Sequence, residues 1–279
     1  EPEALLLKPA SLVFEWNGEE LHRLFGTISK VRNLVEPGSR NPRLVMEFSP
    51  RTFSLTLRET LDIYLDRTVP EVIEDCLVKA GFEAGEDFSL DGLEDSYPTR
   101  EFIVQYKETD HAFLSRLCEH WGIFFYFEHR DEREVMIFGD RNAAFVESTR
   151  VSEIPFIPEE QFGLNLDRVG WMDVTHNPLP QRYVVRDYNY RTPGVDLLAE
   201  SEVSPDGKGE VVEYGVHFKT ADEGKWFADL RAQELLASQQ VFHGSSTCPN
   251  IIAGCTFMLS GHPQGDVEVL VTKVTHRTG

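Results

Sequence analysis

Residues 100–129 read REFIVQYKETDHAFLSRLCEHWGIFFYFEH and decide the fold class, because they predict a strand, a capped helix and a second strand with almost no loop between them. Apolar side chains at Phe102, Val104 and Tyr106 recur with the period of two that predicts a half-buried strand. We interpret the aromatic residues of this segment as core residues of a compact α+β layer, since buried aromatics dominate core energetics.

The middle of the segment predicts a helix with defined ends. Thr109 is placed to accept an amide hydrogen of the first turn, and Asp110 suits the positive end of the helix dipole. The apolar spacing i, i+4, i+8 is supplied by Phe113, Leu117 and Trp121. Gly122 stands where a left-handed residue would end the helix. The apolar face of this helix must therefore be buried against neighbouring strands.

The end of the segment predicts a hairpin. Ile123–Phe127 (IFFYF) is too apolar for a strand with one solvent-exposed face. The polar pair Asp131-Glu132 predicts a turn, and Glu134–Phe138 (EVMIF) predicts the returning strand.

The rest of the chain is mainly β, with two further helices. Asn17-Gly18 lies between two apolar runs and predicts a hairpin turn. Helices are predicted over Thr68–Phe82, where Thr68 is the cap and Pro70 suits the first turn, and over Asp222–Gln240. The remaining strands are predicted over Ser11–Trp16, Leu21–Val31, Arg43–Leu57 with a break at Pro50, Arg182–Arg191, Leu197–Val203, Glu210–Phe218, Val241–Thr247, Cys255–Ser260 and Val267–His276.

Composition excludes several function classes. The 279 residues carry a net charge of −20. Binding to the phosphate backbone of a nucleic acid requires an excess of Lys and Arg, so we expect no nucleic-acid recognition. No apolar run approaches the roughly 20 residues that span a bilayer, so we expect no integral membrane segment. The start of the chain does not resemble a signal peptide.

The four cysteines do not form a CxxC pair. Cys76 and Cys118 fall in predicted helices, where a free cysteine behaves as a small apolar residue. Cys248 and Cys255 flank a short loop, which leaves a disulfide or a metal site open as minor alternatives. A reducing compartment, the cytoplasm, is the default expectation.

Acidic residues concentrate in the stretch 83–95, which has no Lys or Arg. The six carboxylates are Glu83, Glu86, Asp87, Asp91, Glu94 and Asp95. The alternation of a calcium loop is missing, so a solvated acidic loop is the favoured interpretation over a calcium site.

Catalytic motifs are not found. His111, His120 and His129 are nine residues apart and do not share a helix face, and the chain contains no HExxH, GxSxG or phosphate-loop motif. We therefore assign no catalytic, cofactor-binding or metal-binding residues and expect no cofactor. The 47 carboxylates keep an acidic hydrolase or secreted effector open as a weaker alternative.

The stretch 100–129 resembles the signature segment of VgrG, the spike protein of type VI secretion, and of the hub proteins of contractile phage tails. Four phrases of the second half resemble the same family in the same order. They are Glu223-Gly224 with Ala228, Arg231, Glu234 and Leu235; Gly244, Ser245, Ser246, Cys248, Pro249 and Gly254; Phe257, Leu259, Gly261, His262 and Pro263; and Val271, Thr272, Val274 and His276.

The resemblance implies a phage-tail-hub-like fold: mainly β with α+β elements, in which two β-barrel-like tube domains accompany an additional α/β domain. We expect a first tube-type domain over 1–67, with its N-terminal strand missing, the α/β domain over 68–145, and a second tube-type domain with one long helix over 146–279. The OB-fold and β-helix needle of full-length members are not expected within this chain.

The resemblance also implies a structural hub and not an enzyme. Three chains would form a ring that adapts a threefold spike to a hexameric tail-tube protein such as Hcp, in contact with baseplate proteins. Effectors or a spike-tip protein would attach through the missing C-terminal part. The alternative is the hub of a phage or extracellular contractile system. Assembly is expected in the bacterial cytoplasm, followed by secretion or injection. Part of the acidic charge is hypothesised to line the ring lumen, the alternative being solvated surface charge.

Overall fold

The computed structural model describes residues 2–34, 43–147, 152–158 and 167–276. The described chain is mainly β and contains three α-helices, as the sequence predicts. The helices are α1 (Val69–Lys79), α2 (Asp110–Trp121) and α3 (Ala221–Ala237). The strands are β1 (Pro9–Trp16), β2 (Glu19–Leu34), β3 (Arg43–Ser49), β4 (Glu59–Arg67), β5 (Phe88–Gly92), β6 (Arg100–Thr109), β7 (Phe124–Arg130), β8 (Arg133–Gly139), β9 (Val146–Glu147), β10 (Glu153–Pro155), β11 (Val169–His176), β12 (Arg182–Asp187), β13 (Leu197–Glu202), β14 (Glu210–Tyr214), β15 (Gln240–Ser246), β16 (Cys255–Ser260) and β17 (Val267–Leu270).

The chain divides into two compact units. Unit 1 comprises Glu1–Phe156, Leu166–Arg168 and Cys248–Gly279, and unit 2 comprises Ile157–Asn165 and Val169–Thr247. The division predicted from the sequence, 1–67, 68–145 and 146–279, follows family architecture and stays a prediction. The barrel-like closure of the tube domains also stays a prediction.

Unit 1 begins with the antiparallel sheet β1-β2-β3. Its first turn is formed by Asn17 and Gly18, both at positive φ, which confirms the predicted hairpin. Gly26 is required in β2, because a Cβ there would lie 2.4 Å from the Ser49 carbonyl oxygen. The strand predicted to continue past Pro50 is wrong, since Arg51–Thr56 forms a 3-10 helix instead. Proline cannot donate to a strand ladder, which favours the break.

The central layer of unit 1 contains the antiparallel pair β4-β6, the helices α1 and α2, and the sheet β5-β8-β7. Thr68 caps α1 in a reciprocal capping box with Glu71. Thr109 caps α2 by accepting the Ala112 amide hydrogen, and Gly122 ends it in the left-handed region, as predicted. The apolar faces of both helices are buried: Val69, Val72, Ile73, Cys76 and Leu77 in α1, and Phe113, Leu114, Leu117, Cys118 and Trp121 in α2.

The hairpin β7-β8 completes this layer. Its strands pair without a register shift from Phe124↔Gly139 to Arg130↔Arg133. Asp131 and Glu132 form the turn at positive φ, which confirms the predicted hairpin. The last sheet of unit 1 contains β10, β16, β17 and β9.

Unit 2 contains a three-stranded sheet, order β13-β12-β14, with α3 packed on one face, and the antiparallel pair β11-β15. The contact between sheet and helix is built from Val185 and Leu197 on the sheet and Phe227 and Ala228 on α3, all of them buried. Thr220 caps α3 by accepting the Glu223 amide hydrogen.

Candidate interaction surfaces

A buried polar network joins β4, β6 and the first turn of α2. Asp110 is 1% exposed, and its Oδ1 accepts from Gln105 Nε2 at 2.8 Å and from the Thr60 hydroxyl at 3.1 Å. Its Oδ2 lies 3.2 Å from Arg58 Nε in an ion pair. Asp110 therefore ties the helix to both strands, whereas its position in the sequence indicated only an interaction with the helix dipole.

The aromatic side chains of β6 do not belong to the core of the chain. Phe102 and Tyr106 are 64% and 65% exposed, while Ile103 and Gln105 of the same strand are buried against the helices. The interpretation of Phe102 and Tyr106 as core residues is therefore wrong. The period of two correctly predicts that one side of the strand is buried. The side that packs on α2 is that of Ile103 and Gln105, however, and not that of Phe102 and Tyr106.

The outward side of the pair β4-β6 is continuous and uncharged from Leu61 to Leu65, and the register pair Arg67 and Arg100 follows at one end. Leu61 lies opposite Tyr106, Ile63 opposite Val104, and Leu65 opposite Phe102. Residues directly opposite in an antiparallel pair share a face, so these side chains form one apolar surface. We call the surface made by Leu61, Ile63, Leu65, Phe102, Val104 and Tyr106 the β4–β6 face. Except for the half-covered Val104, each of its members is more than 60% exposed.

Unit 2 presents a second exposed surface on the side of its sheet opposite α3. It mixes apolar with charged side chains, because the exposed residues Arg182, Glu200, Glu202 and Glu210 lie on the same side. Leu198, Val212 and Tyr214 are 47%, 58% and 68% exposed there. Arg186 is the register partner of both Leu198 and Tyr214 and is exposed with them. We call the surface made by Leu198, Val212, Tyr214 and Arg186 the β12–β14 face. Each unit thus has one sheet with a helix on one face and exposed apolar residues on the other.

Two ionisable side chains of the β7-β8 hairpin connect it to the N-terminal part of unit 1. His129 and Glu134 are register partners. The Phe25 amide donates to His129 Nδ1 at 3.0 Å, and the Arg51 amide donates to Glu134 Oε1. Burial and the neighbouring His22 lower the pKa of His129 to about 4. Burial raises the pKa of Glu134 to about 7.

The acidic stretch 83–95 is anchored at several carboxylates, so the interpretation of a simply solvated loop is incomplete. Asp87 accepts from Arg51 Nη1 at 2.6 Å, and Asp95 accepts from Arg141 Nη2 at 2.6 Å. Glu86 pairs with Arg133. These arginines lie outside the stretch in sequence, which is why its own composition predicted free charge.

The three histidines of the stretch 100–129 lie apart and contact different residues. His111 lies at the start of α2 within 3.5 Å of the Ser115 hydroxyl, His120 lies near its end beside Trp121, and His129 accepts the amide of β2. Among the described residues no group of three or more His, Cys, Asp or Glu is arranged to hold a metal ion. All four cysteines are free and buried, so the alternative of a Cys248–Cys255 disulfide is wrong.

An open cleft of about 1150 Å³ lies beside His129 in unit 1. Its walls carry charges of both signs: Glu20, Arg23, Glu128, Arg130, Asp131 and Glu132. This mixture does not form a nucleophile–base pair or a phosphate cradle. Within the described ranges, no helix has the length and apolar character to cross a membrane.

Comparisons with known proteins agree on one family. The family model described as "Phage tail baseplate hub (GPD)" matches residues 1–279. The type VI secretion system spike protein VgrG5 of Pseudomonas aeruginosa is 29% identical over 98% of this chain and 34% of its own length, and VgrG1a of the same organism is 26% identical over 99% and 43%. The chain thus spans less than half the length of these curated relatives.

Solved structures show the same fold. A type VI secretion system component of E. coli, described as similar to the phage T4 tail proteins gp27 and gp5, superposes with a TM-score of 0.65 at 23% identity, over 94% of this chain and 56% of its own. A 43 kDa prophage tail protein of Shewanella oneidensis gives a TM-score of 0.60 at 13% identity, over 94% and 82%. The mainly β, phage-tail-hub-like fold class is confirmed. The chain belongs to the phage tail baseplate hub family.

Proposed function

We propose that this chain is the structural hub of a type VI secretion spike, and that three copies form a ring between the spike and a hexameric tail-tube protein of the Hcp kind. The single observation that carries the proposal is the match of the hub family model to residues 1–279. The ring would adapt threefold to sixfold symmetry, because two tube-type domains per chain present six similar docking surfaces.

Two features of the described residues support a role in assembly over one in catalysis. The β4–β6 and β12–β14 faces expose apolar side chains that soluble monomers ordinarily cover. Two of the titratable side chains with strongly shifted pKa values, His129 and Glu134, each accept a backbone amide and so hold the fold together.

The first test is the mass of the chain in solution by light scattering over a range of concentrations. A mass of three times 31.9 kDa is expected for the ring. A stable dimer would contradict the proposal, since a twofold assembly cannot match a threefold spike.

The second test is binding to the hexameric tube protein. Purified hexameric Hcp-type rings should sediment with the chain in a ratio of one hexamer to three chains. The second candidate function, the hub of a phage or extracellular contractile system, is favoured by the fold likeness to the prophage tail protein. Preferential binding to a phage tube protein over an Hcp-type ring would select it.

The remaining parts of the proposal concern the whole machine. Baseplate proteins would hold the ring before firing, and effectors or a spike-tip protein would attach through segments of the longer relatives. The chain would assemble in the bacterial cytoplasm and then be secreted or injected. The hypothesis that acidic residues line the lumen predicts a strongly negative inner surface in the assembled ring.

A further inference from the structure

We propose that the β4–β6 face of one copy of this chain docks onto the β12–β14 face of the next copy, head to tail. This inference rests on the proposed threefold hub and names the surfaces that would form its ring. The occupant of the β4–β6 face is accordingly a second copy of the same chain, and a foreign partner is an outcome of the test.

Symmetry requires two different surfaces. An interface in which the same patch meets itself closes as a dimer, whereas a threefold ring needs a heterologous contact between two distinct patches of each copy. Each compact unit supplies one such patch, because in each a helix covers one face of a sheet and leaves exposed apolar residues on the other face.

The size of the β4–β6 face suits a protein interface. Five of its six side chains are more than 60% exposed. With 150–250 Å² for a fully exposed large side chain, the face offers on the order of 600 Å² of apolar surface. A stable interface buries about 800 Å² on each partner, so this face could provide most of one side of such an interface.

Charge also points to a second copy. A chain with 47 acidic and 27 basic residues repels its own kind wherever its acidic surface is presented. The β4–β6 face contains no Asp, Glu, Lys, Arg or His. The β12–β14 face has the cation of Arg186, which can lie over the rings of Phe102 or Tyr106. Around this face the same side of the sheet carries Arg182 and three carboxylates, Glu200, Glu202 and Glu210. Tyrosine and arginine are the residues that protein interfaces favour at their centres.

Engineered cysteines test the pairing directly in the full chain. Ile63→Cys marks the β4–β6 face and Val212→Cys marks the β12–β14 face. The four native cysteines are buried, and burial raises the pKa of the Cys76 and Cys118 thiols to about 12, so a short bis-maleimide should react at the new sites.

The head-to-tail arrangement makes a specific prediction for this crosslinking. Neither single variant should crosslink to itself, an equal mixture of the two should give a covalent dimer, and the double variant should give covalent trimers. Crosslinking of Ile63→Cys alone would overturn the proposal in favour of a face that meets itself. A wild-type trimer without the mixed crosslink would overturn it while leaving the proposed hub function intact.

Placing a charge on either face supplies an independent test. Phe102→Asp and Val212→Asp should each weaken association about 100-fold, as expected for central interface residues. Val78→Asp is the matched control, since Val78 is 51% exposed on α1 outside both faces. Unchanged association of both face variants would overturn the proposal, as would a wild-type chain that stays monomeric at every concentration. In that last case, binding to the hexameric tube still decides the proposed function separately.

Discussion

Replacing Glu134 by glutamine should stabilise unit 1 at neutral and alkaline pH and leave it nearly unchanged in acid. Glu134 is 4% exposed, and its Oε1 accepts the Arg51 amide. Its Oε2 is buried without a hydrogen-bond donor among the residues that the structure describes. Glutamine keeps an oxygen for that amide and cannot ionise. Its amide NH2 is a buried donor, as is the hydroxyl of the protonated carboxyl, so relative to the acid form the change removes the cost of holding a buried carboxylate.

The magnitude follows from the pKa, which burial raises from 4.5 to about 7. The folded state binds more protons than the unfolded state between these values, so the free energy of unfolding of the wild type falls as pH rises from about 4.5 to 7. One pKa unit corresponds to about 1.4 kcal/mol, which gives a loss of about 3 kcal/mol above pH 7. Glu134→Gln should recover most of this difference.

Urea unfolding from pH 4 to pH 8 measures the effect, with hydrogen exchange of the β8 peptide reporting unit 1 specifically. Glu132→Gln is the matched control, because it removes the same charge from the exposed turn of the same hairpin. If the advantage of Glu134→Gln over the wild type stays constant across this range, the carboxyl is not titrating near neutrality and the reasoning is refuted.

Three further substitutions or titrations probe the same unit. Asp110→Ala should cost about 2–4 kcal/mol in urea unfolding, because the buried Gln105 amide and the part-buried Thr60 hydroxyl lose their acceptor. The loss should exceed that of Arg58→Ala, whose side chain is 39% exposed, and an equal loss would contradict the network. Gly254→Ala should lower the melting temperature measured by calorimetry, since its φ is +90° and a Cβ would lie 2.4 Å from the ring of Tyr126; an unchanged melting temperature would disprove the clash. His129 should titrate near pH 4 by NMR, because burial disfavours its cation. Since this pKa lies below the ordinary 6.5, the contribution of His129 to stability is present above pH 6.5 and is lost as the pH falls toward 4. A measured pKa near 6.5 would contradict this.

The sequence predicted best those elements whose ends are specified locally. Thr68 and Thr109 cap their helices with their own hydroxyls, Gly122 provides the left-handed stop, and Asn17-Gly18 provides the turn. Each of these signals acts within a few residues, so no knowledge of the rest of the chain is needed. Boundaries that depend on tertiary contact were predicted less well, as the 3-10 helix after Pro50 illustrates.

The candidate surfaces could not be assigned in the same way, because burial is a property of long-range contacts. In β6 both sides of the strand are apolar enough to serve as the core: Ile103 on one side, Phe102 and Tyr106 on the other. The deciding residue is Gln105, whose amide bonds Asp110 at 2.8 Å and so draws its own side of the strand toward α2. A polar residue such as Gln105 ordinarily predicts the solvent-exposed side of a strand, whereas here it specifies the buried side.

The two sides of β6 therefore have different roles. The inward side fits α2 and the Asp110 network, and in the proposed ring the outward side would fit the β12–β14 face of the next copy. A lone hub chain exposes about two thirds of each of these two aromatics, which costs solubility without helping the chain to fold. Substitutions on the outward side should therefore leave the folded chain stable and alter its association, whereas substitutions at Gln105 or Asp110 should destabilise the fold. In the proposed ring, one side of this strand would therefore serve folding and the other side would serve assembly.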